Sequence, residues 1–216
     1  MTPQEKYNLF VEMSKQIAFK IRNSDLTETE CGSVVYFLYG KVKSLQSLNI
    51  KFGNEYEDML NEFSKKCGLN IPYRKSYQIG EHQIDTLIIE DGYVEYREQK
   101  TNIQLDTEKL KSTIDKINNI SNILTETYSE KTIRHFVHNT TVWEEDDAPH
   151  NKTHYSKFRN NGVNVLFMKE YFEQLDVDIT KDEFYSLFID IGQIIDGKID
   201  YTNAKTKKNK VLETIM

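Results

Sequence analysis

Cysteine, proline and tryptophan are scarce in this chain of 216 residues, with two, three and one respectively, and each scarcity excludes something. Cys31 and Cys67 stand far apart with no His or Cys at metal-ligand spacing, so neither a disulfide framework nor a zinc knuckle is indicated. Few prolines and nine glycines leave no collagen-like or Pro-rich tract. No run of about 18 uncharged apolar residues occurs, which excludes an obvious membrane-spanning helix. The opening Met1-Thr2-Pro3-Gln4-Glu5-Lys6 lacks the basic stretch and apolar run of a secretory signal, and the cytoplasm is the expected compartment. An excess of positive charge is missing too: the formal net charge is −6. Any polyanionic partner must therefore meet basic residues gathered on one face.

What is present is enough for a core, with 38% apolar residues and 13 tyrosines among the aromatics. One domain over 1–216 is expected, made of a helical part over 1–70, a sheet and helix over 71–168, and helices with a basic tail over 169–216. Apolar residues at three- and four-residue intervals predict helices over 4–22 and 29–48, and a third starting near Gly53-Asn54 and ending at Gly68. After Pro72 the period changes. Ser76–Ile79, Ile84–Glu90 and Tyr93–Lys100 are short, β-branched and aromatic, and Asp91-Gly92 is a tight-turn signal, so an antiparallel meander is predicted. A helix from Asp106 to Thr127, a strand over 132–142, another over 163–168, and helices over 169–174 and 180–195 complete the chain. Residues 139–162 read as a long polar loop.

Alternation along Tyr93–Lys100 places Val94, Tyr96, Glu98 and Lys100 on one face. A two-residue turn at Asp91-Gly92 sets Asp85 opposite Glu98, with side chains about 5 Å apart. Two carboxylates so close repel unless a cation lies between them, and hard oxygen ligands of this kind suit Mg²⁺. Lys100 then supplies an ammonium that can orient or deprotonate a water, or offset charge developing on a phosphate. This combination points to phosphodiester hydrolysis.

Asp85 followed by Glu98-Gln99-Lys100 resembles the signature of the PD-(D/E)xK nucleases. The run from Tyr96 through Lys109 is similar to the matching stretch of certain type II restriction endonucleases, and the likeness extends over roughly residues 53–117. Ile84 stands where the motif has proline, and Gln99 is polar where an apolar or small residue is usual. The resemblance implies Asp85 and Glu98 as metal ligands, Lys100 as the catalytic lysine, and one further acid after a glycine in the preceding helix. Gly53-Asn54-Glu55-Tyr56-Glu57 offers Glu57 for that position, with Glu55 as the alternative. It also implies an α/β fold with a restriction-endonuclease-like core: a mixed sheet flanked by helices, with a helical N-terminal part.

The function expected is Mg²⁺-dependent cleavage of double-stranded DNA at a short sequence. A homodimer is the simplest way to cut both strands of a palindrome. Within 139–162, Asn151, Lys152, Lys157, Arg159 and Asn160 are candidates for DNA contact, because Asn can pair with adenine and Arg or Lys with guanine. Lys109, near a helix start, is a candidate for phosphate. A structure-specific repair or junction nuclease and a non-catalytic DNA-binding subunit are the rival readings. Other features have plainer explanations: Glu144-Glu145-Asp146-Asp147 as a solvated acidic turn, His135 and His138 as members of a sheet face, and 205–210 as a mobile basic tail.

Overall fold

A computed structural model describes residues 1–24, 45–72 and 78–196. The helix expected over 29–48 lies largely outside these residues, and Cys31, the first two residues of the strand expected over 76–79 and the basic tail lie wholly outside them. Contacts divide the described residues into two compact units, one within 1–7 and 61–181 and one within 8–60 and 182–196.

In the first unit lies a four-stranded sheet built, in spatial order, from β3 (Thr86–Ile89), β4 (Tyr93–Lys100), β5 (Thr132–Asn139) and β6 (Asn164–Leu166). β3 pairs antiparallel with β4, while β4–β5 and β5–β6 are parallel. The sheet is mixed because Asp91-Gly92 allows a hairpin, whereas returning to β5 in parallel requires a crossover, which α3 (Thr107–Thr127) supplies. Asp106 caps α3, its side chain accepting the Lys109 N–H at 2.8 Å. Leu110, Ile114, Ile117, Ile120 and Leu124 form the buried stripe of α3 and pack with Leu87, Val94, Tyr96 and Val137 of the sheet. At the other end of the sheet, α5 (Met168–Gln174) follows β6 directly.

The expected three-strand meander is split. β1 (Gln78–Ile79) and β2 (His82–Gln83) form their own two-stranded ribbon, turning at Gly80 with φ +60°. Gly80 reverses the chain too early for β1 to join β3, and Ile84 buries itself in the α3 side of the core instead of continuing a strand. The expected loop over 139–162 is largely helical. Short 3-10 turns at Glu145–Asp147 and Pro149–Asn151 lead into α4 (Lys152–Asn160). Tyr155 and Phe158, three apart and fully buried, give α4 the apolar anchor that its polar surroundings conceal.

The second unit contains most of α1 (Pro3–Arg22), the first part of α2 (Leu45–Lys66) and α6 (Lys181–Asp196) apart from its first residue. α2 begins earlier than Gly53 predicted, because Leu48, Phe52, Tyr56 and Met59 carry one apolar period through the glycine. Within this unit Phe52, Tyr56 and Phe188 bring their rings together at centroid distances of 5.3 to 6.2 Å. Among the described residues, no helix is long and apolar enough to cross a membrane. Cys67 is a free, half-buried thiol whose pKa is raised by burial.

Candidate active site

The hairpin register runs from Thr86 opposite Arg97 to Ile89 opposite Val94. Extended by one pair, it sets Asp85 opposite Glu98, as the turn requires. Asp85 ends in a half-buried position, and its Oδ2 accepts the backbone N–H of Gln99 at 2.9 Å. Asn61, from the end of α2 that belongs to this unit, donates to the Asp85 carbonyl at 2.8 Å. On the sheet face away from Glu98, Gln99 donates to Asn61 Oδ1 at 3.1 Å and to Thr86 Oγ1 at 2.6 Å, and Thr86 donates in turn to Asn61 Oδ1 at 2.5 Å. The polar residue in the middle of Glu98-Gln99-Lys100 therefore has a physical reason: it ties β4 to β3 and to α2 beneath the two acids.

Glu98 is 4% exposed. Its Oε1 accepts from Lys100 Nζ at 2.7 Å, and its Oε2 from Lys116 Nζ at 2.5 Å and from the Tyr96 hydroxyl. Burial alone would raise the Glu98 pKa, but the two ammonium groups outweigh it and hold the carboxyl below the usual range. Tyr96 is pushed the other way, first by burial and then by the Glu98 charge, so it stays a neutral donor. Lys100 and Lys116 are themselves only partly covered, with side chains 26% and 22% exposed, so the cluster opens to solvent on the lysine side.

The strand end that carries Lys100 is pinned. Its carbonyl accepts from the Thr140 backbone at 3.0 Å and from Thr140 Oγ1 at 3.3 Å, and Thr141 Oγ1 donates to the Thr101 carbonyl at 2.8 Å. The parallel register sets Asn139 directly beside Lys100, on the same face.

The structure thus brings Asp85, Glu98 and Lys100 to one edge of the sheet and adds two residues that sequence reasoning did not assign, Lys116 and Tyr96. Tyr96 was already on the right face by alternation. Lys116 borders the apolar stripe of α3, and only the packing of that helix on β4 reveals where its head goes. Glu57 and Glu55 belong to the second unit, where Glu55 pairs with Lys20 at 3.2 Å. Among the described residues, no group of three or more His, Cys, Asp or Glu side chains gathers in a form that could hold a metal ion. The pair Asp85 and Glu98 suits an ion that leaves most of its coordination to water and phosphate, as magnesium does.

The residues expected to touch DNA are placed variously. Lys109 is exposed at the start of α3, 3.5 Å from Asp106. Lys157 and Asn160 are exposed on α4. Asn151 is 5% exposed and donates to the Tyr155 hydroxyl at 3.4 Å, so it belongs to the interior and not to a reading surface. Lys152 pairs with Asp146 at 3.2 Å and Arg159 with Glu145 at 2.6 Å. Glu144 pairs with Lys169 at 3.4 Å, and Asp147 with Lys181. The acidic run is therefore not a freely solvated turn: each carboxylate in it has a cation. His138 is buried on β5 against the Tyr171 ring, and His135 bonds Ser121 and the Gly162 carbonyl, so both hold structural positions.

No family model matches the chain, and no solved structure matches it. One curated protein that does is a UPF0102 protein of Chloroherpeton thalassium (strain ATCC 35110 / GB-78), 40% identical over 58 residues. The match covers 27% of this chain and 44% of that protein, so the chain spans less than half the length of its relative. What this chain is similar to, over that segment, is part of a UPF0102 protein.

Proposed function

We propose that this protein is a metal-dependent nuclease that hydrolyses phosphodiester bonds of DNA. The observation that carries the reading is the hairpin register that sets Asp85 against Glu98 while Lys100 reaches the same carboxylate from the same strand end. The partial likeness to a UPF0102 protein adds support, since that family falls within the PD-(D/E)xK-like nuclease superfamily. That is support for the nuclease class, not for restriction.

In this reading Asp85 and Glu98 would hold Mg²⁺, the rest of its coordination falling to water and phosphate. The ion, when bound, supplies Lewis acidity toward a water and the scissile phosphate. Lys100 orients the attacking water and offsets negative charge that develops on the phosphate. The Gln99 N–H fixes one oxygen of Asp85, and the Tyr96 hydroxyl fixes one oxygen of Glu98, so the ligands are set before anything binds.

Sequence-specific cutting of duplex DNA by a symmetric homodimer is the finer form of the proposal. A structure-specific nuclease is favoured by one observation: Lys152 and Arg159, offered as base readers, are engaged by Asp146 and Glu145. Incubation of supercoiled plasmid with Mg²⁺ separates the two. Discrete fragments support site-specific cutting, whereas cleavage confined to branched or extruded substrates supports the second reading. Glu98→Ala, Asp85→Asn and Lys100→Ala are each expected to lower the cleavage rate by at least about a hundredfold. Undiminished cutting by Glu98→Ala would remove the assignment, and EDTA is expected to stop the wild type. Sedimentation equilibrium tests the dimer.

A further inference from the structure

We propose that Lys116 is the resident counter-ion of Glu98, a positioning residue that gives up the carboxylate to a divalent ion and so sets how tightly that ion binds. The inference rests on the metal reading of Asp85 and Glu98 given above. A carboxylate 4% exposed is costly to keep charged without a cation nearby. Lys100 and Lys116 supply that positive charge, one on each oxygen. Two ammonium groups and a divalent ion on a single carboxylate would crowd like charges together, so one ammonium must leave when the ion arrives.

Geometry decides which one. Lys100 leaves the same strand as Glu98, and its backbone carbonyl is gripped by both the N–H and the hydroxyl of Thr140. Lys116 comes from α3 on a stem no longer than that of Lys100, and the two side chains are alike in exposure, 22% and 26%, so the difference lies in what else holds each carboxylate oxygen. Its head can swing into solvent while the helix stays on its buried stripe. The oxygen that Lys116 holds is also held by the Tyr96 hydroxyl, so Glu98 keeps its orientation when the ammonium goes.

A lysine whose charge opposes the ion must tighten metal binding when it is removed, and one that also gives up the carboxylate must become more accessible when the ion arrives; the two measurements read these in turn. The test titrates the full chain, without DNA, with Mn²⁺ in place of Mg²⁺, and reads the free ion by electron paramagnetic resonance. Lys116→Met is expected to bind Mn²⁺ about tenfold more tightly than wild type, and Lys116→Arg, which keeps the cation, about as wild type does. A circular dichroism melt confirms that each variant is folded. A second measurement needs no variant: acetylation of Lys116 in the wild type, followed by mass spectrometry, is expected to rise several-fold when Mn²⁺ is added, while that of Lys109 stays constant.

Unchanged or weaker Mn²⁺ affinity in folded Lys116→Met, or no rise in Lys116 labelling in a wild type that does bind Mn²⁺, overturns the inference and leaves the metal reading standing. If wild type and Glu98→Gln alike bind no Mn²⁺, both fall together.

Discussion

Glu98 is a carboxylate kept ionised inside the protein by three neighbours that each donate to it. Because its folded pKa lies below the usual carboxylate range, it contributes stability above that range and loses it as pH falls through the depressed value. His138 moves for a different reason. Burial, and then the nearby Arg97 guanidinium, hold its imidazole neutral and its pKa well below the ordinary value. The unfolded chain takes up that proton first, so stability declines as pH drops below about 6.5, before the carboxylates are reached. Stability measured by urea unfolding from pH 8 to pH 5 is expected to fall for the wild type, and His138→Gln is expected to flatten that limb. Tyr96→Phe, which removes one donor to Glu98 and keeps the ring, is expected to cost about 1.5–3 kcal/mol in the same assay at pH 7.

At the scale of elements, α3 matters most, because it is both the crossover of the sheet and the carrier of Lys116. Asp106→Ala removes its cap and is expected to cost about 1 kcal/mol in thermal unfolding, whereas Asp106→Asn should stay near wild type. Gly80→Ala strains the β1–β2 turn, where φ is +60° and an added Cβ would stand 3.3 Å from Ile123 Cδ1. A loss of about 1 kcal/mol is expected there, since alanine is costly at positive φ.

These elements differ in how far the sequence discloses them. Tyr93–Lys100 is legible to the residue, because Asp91-Gly92 pins the turn and the alternation of faces pins the rest. For the same reason Asp85, Glu98 and Lys100 could be brought together before any coordinates. α4 is not legible, since its two buried aromatics are scattered among lysines, asparagines and a histidine that mimic a loop. Lys116 is hidden for another reason: no spacing rule links a position on a helix to a strand packed beneath it.

Across the whole molecule the net charge is negative, and part of the acid is spent on cations of neighbouring elements. The run Glu144–Asp147 engages Lys152, Arg159, Lys169 and Lys181, which come from α4, α5 and the first residue of α6. Under the nuclease reading, a variant that combines Glu144→Gln, Glu145→Gln, Asp146→Asn and Asp147→Asn frees these cations for phosphate. Fluorescence anisotropy with a labelled duplex is expected to show tighter binding and a log K against log salt slope steeper by up to about 3–4. An unchanged slope would mean that this surface faces away from the nucleic acid.

The start of β3 and the finishing ends of β4, β5 and β6 all fall at one rim of the sheet. Chain leaving β5 there first holds the end of β4 through Thr140 and Thr141, and then runs through residues 142–163 before it returns as β6. Under the nuclease reading, residues 142–163 can be lengthened, shortened or rewritten while Asp85, Glu98 and Lys100 stay where the β3–β4 hairpin puts them. On that reading, a change of target would require new residues between β5 and β6 and leave the chemistry of the hairpin untouched.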